Sequence, residues 1–257
     1  MKTGNGISES KGAAERKKRR RMLVVPLGRA PYGPVRLLQL ALVDARRGGD
    51  LETDVALLLE HEPVFTLGRR GGTDNILVPP ERLKQSGVPV VHVERGGDVT
   101  YHGPGQLVIY PIVDLPAARI KVVEFVEGLE EVMIRTALDH GVAAERSSRN
   151  RGVWVGERKL GSVGIAVRRG ISYHGLALNV NPDLTPFQWI HPCGLHGVDM
   201  TSLALEAKKE VTAEAVIPGI LRHLADVLEA GVEETPPAFL ATRMGAGFPE
   251  EARVLLG

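Results

Sequence analysis

Apolar residues recur along the chain in two patterns, one typical of strands and one typical of helices. Short apolar runs predict strands, at residues 23–26, 55–59, 63–67, 88–93 and 107–113. Apolar residues at helical spacing predict helices, at residues 34–47, 80–85, 121–140 and 212–230, the last interrupted at Pro218. Residues 107–113 are apolar on both faces of the pleat, which indicates a central strand covered on both sides.

Three further predicted strands lie close together in the second half of the chain, at residues 153–155, 159–167 and 171–180. Their short Gly-containing connections predict an antiparallel meander. Strand runs and single helices alternate irregularly, which favours an α+β fold over a doubly wound parallel one. We therefore predict an α+β fold with a mixed, largely antiparallel sheet flanked by helices.

The first 21 residues differ from the rest of the chain, since they are polar, charged and poor in apolar side chains. We predict a disordered basic tail at residues 1–21 and a single catalytic domain at residues 22–257. The basic run at residues 16–21 could contact nucleic acid or an anionic membrane, but no aromatic residues are interleaved with it. We interpret it as a solvated tail and expect neither nucleic acid nor a membrane as a partner.

Composition narrows the class of protein. The chain has 257 residues, 43% of them hydrophobic, and a formal net charge of +1, a balance typical of a globular protein with a sizeable core. No apolar run is long enough to cross a bilayer, and the N-terminus does not resemble a signal peptide. A single cysteine excludes an internal disulfide and fits a reducing compartment, so we expect a cytoplasmic protein.

Three segments are unusually rich in glycine, histidine and other polar residues, at residues 95–105, 159–164 and 191–194. Each adjoins a predicted strand, where glycines allow a ligand to approach the backbone closely. The third contains Cys193 between Pro192 and Gly194. A lone intracellular cysteine is commonly an inert core residue, but these neighbours suit an exposed turn better than a helix or strand interior. Cys193 is therefore a candidate nucleophile.

Lys159 is the candidate partner of this cysteine. Regular strand alternation places it on the same face as Gly161, Val163 and Ile165, where a lysine would be partly desolvated. Such a lysine can accept the thiol proton or, once charged, stabilise the thiolate. The alternative is a strand-end lysine in solvent, and the residues alone leave both interpretations open.

Other chemistries receive less support. His102 and His174 could each be the base of a Cys–His pair or a hydrogen-bonding residue of a pocket. His191, Cys193 and His196 could ligate a metal, but the paired Cys-x-x-Cys spacing of structural zinc sites is absent, and we expect no metal. The Gly-rich segments match neither a Walker A loop nor a clean Gly-x-Gly-x-x-Gly, and no Gly-x-Ser-x-Gly elbow occurs, so nucleotide binding and serine hydrolysis lack support.

Five blocks, in this order and spacing, resemble the lipoyl(octanoyl) transferases, which begin protein lipoylation without ATP. The blocks are HEPVFTLG at residues 61–68, RGGDVTYHGPGQL at 95–107, GVWV at 152–155, HGLALNV at 174–180 and PCG at 192–194. The resemblance extends from about residue 23 to residue 203. The basic tail and the residues after 203 lie outside the pattern.

The resemblance implies acyl transfer in two steps. The Cys193 thiolate attacks octanoyl-acyl carrier protein, and the octanoyl group then passes to a lysine of a lipoyl domain. The acceptor is a lipoyl domain of a 2-oxoacid dehydrogenase E2 subunit, or the glycine-cleavage H protein. Lys159 corresponds to the residue that lowers the pKa of the thiol. No cofactor is required, because the thioester is already activated, and we expect a monomer.

The resemblance also implies an acyl-binding wall made from three segments. Small residues in these segments leave a slot beside the sheet for an alkyl chain. The residues are Arg95, Gly96, Gly97, Asp98, Val99, Thr100, Tyr101, His102, Ser162, Val163, Gly164, Gly175, Leu176 and Ala177.

The implied fold is that of the biotin and lipoate ligase catalytic domains, which agrees with the α+β prediction. Two alternatives therefore stay open. An ATP-dependent lipoate or biotin ligase would share the fold but would need no cysteine nucleophile. A non-catalytic protein that binds nucleic acid or a partner through its basic tail would show salt-sensitive binding.

Overall fold

The structure is a computed structural model that describes residues 20–195, 197–244 and 247–257, apart from the side chain of Cys193. The strands are β1 (Arg20–Ala30), β2 (Asp54–His61), β3 (Val64–Leu67), β4 (Val90–His92), β5 (Val99–His102), β6 (Gln106–Ile112), β7 (Glu145–Ser147), β8 (Asn150–Val155), β9 (Arg158–Arg168), β10 (Ile171–Asn179) and β11 (Ala230–Glu234). The helices are α1 (Tyr32–Gly48), α2 (Pro80–Ser86), α3 (Leu115–Ala118), α4 (Val122–Asp139), α5 (Leu203–Ala207), α6 (Ala213–Val227), α7 (Pro237–Met244) and α8 (Glu250–Arg253).

Eight strands form one mixed sheet in the order β11-β1-β2-β6-β10-β9-β8-β7. Strand β1 runs parallel to β11 and β2, and the remaining neighbours are antiparallel. A second sheet has the order β4-β3-β5. The prediction of an α+β fold with a largely antiparallel sheet flanked by helices is confirmed. The predicted meander is β8-β9-β10, and the predicted central strand is β6, whose residues are all buried.

Each face of the large sheet has its own apolar core. Helices α4 and α6 cover the first face, where Phe125, Leu129 and Leu224 pack against the sheet. Helix α1 covers part of the second face through Leu38 and Leu42, with the C-terminal segment beside it. Within the part of the chain that is described, no helix combines the length and apolar character needed to cross a membrane.

The structure differs from the prediction at several elements. Strand β5 lies inside the Gly-rich segment that was predicted to be a loop, and the short edge strands β7 and β11 were not predicted. Helix α6 continues through Pro218 without interruption. That proline is the sixth residue of the helix, so it removes a single backbone hydrogen bond near the first turn.

The predicted tail boundary at residue 21 is two residues too late. Strand β1 begins at Arg20, which pairs with Ala230 of β11. The Arg20 guanidinium donates hydrogen bonds to Asp54 Oδ2 (2.8 Å) and to the carbonyl of Leu228 (2.6 Å). These long-range contacts hold the residue in the sheet. Residues 1–19, which carry the rest of the predicted tail, lie outside the described residues.

Gly175 in β10 packs directly on the backbone of the neighbouring strand β6. A Cβ atom at this position would lie 2.1 Å from the carbonyl oxygen of Ile109 in β6. Backbone atoms in the centre of a sheet cannot move aside cheaply, because each is held by ladder hydrogen bonds. The register of β6 and β10 therefore requires glycine here.

We expect Gly175→Ala to lower the free energy of unfolding by roughly 2–4 kcal/mol, because the added methyl group overpacks the sheet. Urea denaturation monitored by circular dichroism measures the change. Gly33→Ala is the matched control, since no atom lies within 4 Å of its Cβ position, and it should change stability by no more than about 1 kcal/mol. Equal effects of the two substitutions would contradict this account.

Candidate active site

A β-bulge in β9 determines which way Lys159 points. Strands β8 and β9 pair with a register shift that leaves Leu160 as an extra residue, between the pairs Val153 with Gly161 and Trp154 with Lys159. Leu160 packs into the first core, as does Val163. Because adjacent strand residues point to opposite faces, Lys159 points to the second face. The predicted face, shared with Val163, was wrong, since regular alternation cannot account for a bulge.

Lys159 is a buried lysine, not a strand-end lysine in solvent. Its relative exposure is 0%. The Nζ atom lies 5.3 Å from the centroid of the Trp154 ring, a distance at which a cation is attracted to the face of an indole. Trp154 is itself fully buried. The indole therefore forms one wall around the lysine head group.

The backbone of Lys159 also binds the segment that follows the cysteine turn. The Lys159 N–H donates to the carbonyl of Asp199, and the Thr201 N–H donates to the carbonyl of Lys159, both at 2.9 Å. This short parallel bridge starts five residues after the 3-10 turn Pro192–Gly194. The fold therefore brings the strand with the buried lysine and the segment with the cysteine together.

The other side of the cysteine turn is held by Asn75 and Asp98. The carbonyl of Asn75 accepts from the His191 N–H (2.8 Å), and its side-chain Nδ2 donates to Asp98 Oδ2 (2.9 Å). Gly194 packs directly on this carboxylate, because a Cβ there would lie 2.9 Å from Asp98 Oδ2. Sequence reasoning missed Asn75, and no motif or periodic signal marks it.

Two parts of the sequence prediction fall on atoms that are not described. The Cys193 side chain and all of His196 lie outside the described residues. The alternative of a metal held by His191, Cys193 and His196 falls on the same atoms. The backbone of the turn is described, and it places Cys193 in a 3-10 turn between Asp98 and the bridge to Lys159.

The three segments of the predicted acyl wall meet on the second face of the sheet. The Gly96 N–H donates to the carbonyl of Ile165 (2.8 Å), which docks the loop before β5 onto β9. On β9 and β10, Ser162 lies opposite Ala177, and Gly164 lies opposite Gly175. The structure thus brings the glycine-rich loop, β9 and β10 together, as the resemblance implied.

Some residues of the predicted wall point elsewhere. Val163 and Leu176 pack in the first core, beneath α4 and α6. Val99 and Tyr101 belong to a smaller core between the three-stranded sheet and Phe187. The apolar groups of these four side chains are used in core packing. They therefore contribute to the predicted wall by holding its backbone in place.

Arg95 is a buried cation beneath this wall. Its guanidinium donates to Thr66 Oγ1 (2.8 Å) and to the Thr66 carbonyl (2.7 Å). These bonds compensate part of the cost of removing the charge from water. The charge also acts at a distance, because it helps to lower the pKa of His102 and of His174.

Three histidines lie buried near Arg95. Burial lowers the pKa of His61 to about 4 and holds the pKa values of His102 and His174 below the usual value. His61 hydrogen-bonds Tyr110 Oη (2.8 Å), and His102 Nδ1 bonds Gln106 Oε1 (2.6 Å). All three are therefore neutral at neutral pH.

The positions of His102 and His174 separate them from the cysteine turn. His102 is four residues along β5 from Asp98, or about 13 Å at the usual rise of a strand. His174 pairs with Ile165, which is six residues along β9 from Lys159, or roughly 20 Å. The segment that follows the turn, by contrast, is hydrogen-bonded to the backbone of Lys159 at Asp199 and Thr201.

A family model and individual relatives both match this chain over most of its length. A family model described as the lipoyl protein ligase A/B catalytic domain matches residues 36–225. An octanoyltransferase of Desulfotalea psychrophila is 50% identical over 206 residues, which cover 79% of this chain and 92% of the relative. An octanoyltransferase of Syntrophobacter fumaroxidans is 45% identical over 215 residues, 84% of this chain and 94% of the relative.

A solved structure shares the fold at low sequence identity. A lipoate-protein ligase A bound with ATP superposes with a TM-score of 0.67 at 16% identity, covering 93% of this chain and 92% of that one. At this identity the likeness concerns the fold alone. The mixed sheet flanked by helices is therefore the architecture of the lipoate ligases.

The buried histidines predict a loss of stability in mild acid. Between pH 6.5, the ordinary pKa, and about 4, unfolded His61 binds a proton that folded His61 does not. The contribution of His61 to the free energy of unfolding is therefore complete above pH 6.5 and falls toward pH 4. In urea titrations, His61→Asn should reduce this slope by up to about 1.4 kcal/mol per pH unit. His92→Asn, at an exposed position of β4, should not. An unchanged slope in His61→Asn would refute this assignment.

Proposed function

The chain belongs to the lipoyl protein ligase A/B catalytic domain family, and we propose that it works through a thioester on Cys193 with Lys159 as the acid–base partner. Its activity is acyl transfer: it is an octanoyltransferase of protein lipoylation, as its relatives of 40–50% identity are. The ATP-dependent alternative rests on a fold likeness at 16% identity.

The bridge between Lys159 and residues 199–201 is the observation that supports this dyad best. It anchors the segment that leaves the cysteine turn on the backbone of the one lysine that is fully buried among the described residues. Asn75 and Asp98 hold the opposite side of the turn. The nucleophile is thus restrained from two sides, and such restraint keeps a reacting group in a productive position.

The proposed reaction has two half-reactions, and Lys159 transfers a proton in each of them. Lys159 accepts the thiol proton, and the Cys193 thiolate attacks the carbonyl carbon of the donor thioester. The donor C–S bond breaks, and the departing thiolate takes the proton from Lys159. In the second half-reaction the amine of the acceptor lysine attacks the octanoyl-Cys193 carbonyl. A C–N bond forms, the C–S bond breaks, and Lys159 carries the amine proton to the departing Cys193 thiolate, which restores the thiol.

We place the octanoyl chain against the wall formed by the loop before β5 and by β9 and β10. Ser162, Gly164, Gly175 and Ala177 are small residues on neighbouring strands. Removing an alkyl chain from water contributes about 0.8 kcal/mol per methylene. An eight-carbon chain therefore supplies several kcal/mol of binding without a single charged contact, which suits a substrate whose tail is purely apolar.

The partners and compartment follow from the same proposal. We propose octanoyl-acyl carrier protein as the donor, and lipoyl domains of E2 subunits or the H protein as acceptors. The thiolate chemistry needs a reduced cysteine, so we assign the enzyme to the reducing cytoplasm. The donor thioester is already activated, so no cofactor takes part.

Incubation with octanoyl-acyl carrier protein should raise the intact mass of the protein by one octanoyl group. Cys193→Ala removes the nucleophile and should abolish the adduct. Added lipoyl domain should then discharge the wild-type adduct without ATP. Transfer that depends strictly on ATP, or an adduct that survives in Cys193→Ala, would overturn the proposed function.

Lys159→Met should shift the pH profile of Cys193 alkylation by iodoacetamide toward that of a free thiol, whose pKa is about 8.5. Methionine retains the length and apolar stem of the lysine beside Trp154, so packing is largely kept. Lys84→Met, at an exposed position in α2, is the matched control and should leave the profile in place. An unchanged profile in Lys159→Met would exclude the lysine from this role.

A further inference from the structure

A cleft of 390 Å³ opens beside the cysteine turn, outside the predicted acyl wall. One side is formed by Leu77 and by residues of the 3-10 turn Thr185–Trp189, and the other by the chain on both sides of Cys193. Its lining residues are Leu77, Leu184, Phe187, Gln188, Ile190, His191, Pro192, Leu195, Gly197, Val198, Asp199 and Met200.

Residues next to both halves of the proposed dyad line this cleft. Pro192, which lines it, immediately precedes Cys193. Asp199 and Met200, which also line it, belong to the bridge on Lys159, where the Asp199 carbonyl accepts from the Lys159 N–H at 2.9 Å. The cleft is therefore lined both by the residue before Cys193 and by the segment that is bonded to the Lys159 backbone.

The walls of the cleft are largely apolar, and its described lining carries a single negative charge. Most of its lining side chains are aliphatic or aromatic, and Leu77 is 49% exposed at the rim. Among the lining residues that the structure describes, Asp199 is the one carboxylate, and there is no lysine or arginine. Asp199 is exposed to solvent, so its charge can be met by an incoming group.

Of the two substrates in the proposed function, the acceptor matches this chemistry. A lysine side chain is a stem of four methylenes that ends in an ammonium group, which fits apolar walls beside a carboxylate. The arm of an acyl carrier protein carries a phosphate, which this carboxylate would repel. The cleft also lies apart from the wall assigned to the octanoyl chain.

We propose that this cleft receives the acceptor lysine of the lipoyl domain, with Asp199 attracting its ammonium group and Leu77 and Met200 packing on its stem. This inference rests on the proposed function. Asp199 acts on the charged lysine as it enters. The ammonium group then releases its proton to solvent, and the neutral amine attacks the octanoyl-Cys193 carbonyl.

Asp199→Asn tests the inference, because it removes the charge and keeps the shape and the backbone bond to Lys159. We expect the apparent KM for the lipoyl domain in the second half-reaction to rise about threefold to fivefold, the effect of one partly exposed ion pair. The rate of octanoylation of Cys193 by octanoyl-acyl carrier protein should not change. Glu210→Gln, which removes an equal charge at an exposed position outside the cleft, should leave both half-reactions unchanged.

Leu77→Ser provides a second variant at a half-exposed position whose backbone bond to Trp189 is retained. It should also raise the KM for the lipoyl domain alone.

Slower octanoylation in either variant, with normal transfer, would assign the cleft to the donor arm and overturn the inference. Unchanged kinetics in both half-reactions would overturn it as well. A wild-type protein that forms no octanoyl adduct would contradict the proposed function, and that result is distinct from either outcome.

Discussion

Two backbone hydrogen bonds, between Lys159 and the segment 199–201, connect the sheet to the cysteine turn. They form where a β-bulge at Leu160 has already turned Lys159 away from the α4/α6 core. Without the bulge, the lysine would enter an apolar core and its charge would have no compensation. With the bulge, it reaches the face where the loop before β5 docks. The position of the proposed dyad depends on this one irregularity, and bulges are known to redirect side chains next to active sites.

Burial and hydrogen bonding determine which polar groups beneath the site carry a charge. Arg95 keeps its charge in the interior because Thr66 supplies oxygen acceptors. The neighbouring histidines respond by remaining neutral, since desolvation and the nearby cation both oppose a second positive charge. This division leaves the histidines as hydrogen-bonding and packing groups.

The mixed sheet and its helices are shared with a lipoate-protein ligase A bound with ATP, at 16% sequence identity. In our proposal, the difference in chemistry from that ligase lies in the use of Cys193 as a nucleophile. In our proposal, the acyl chain lies against β9, β10 and the loop before β5, and the acceptor lysine enters the cleft that contains Asp199. Such an arrangement lets two substrates approach one thioester from different directions, as a two-step transfer requires.

The sequence by itself determined the fold class, the central strand β6, the meander and the segments that meet around the cysteine turn. These features have local signals: apolar runs, helical spacing, and glycines at strand ends. Strand β11 was not predicted because its partner β1 lies some 200 residues away in the chain. Only the tertiary structure decided which face of the sheet Lys159 points to, the hydrogen bonds by which Asn75 holds the cysteine turn, and the cleft next to Asp199. The face of Lys159 depends on a bulge in the pairing of β8 with β9, and the other two features depend on segments that are distant in the chain. Backbone hydrogen bonds can be formed by any residue type, so they leave no local pattern in the sequence.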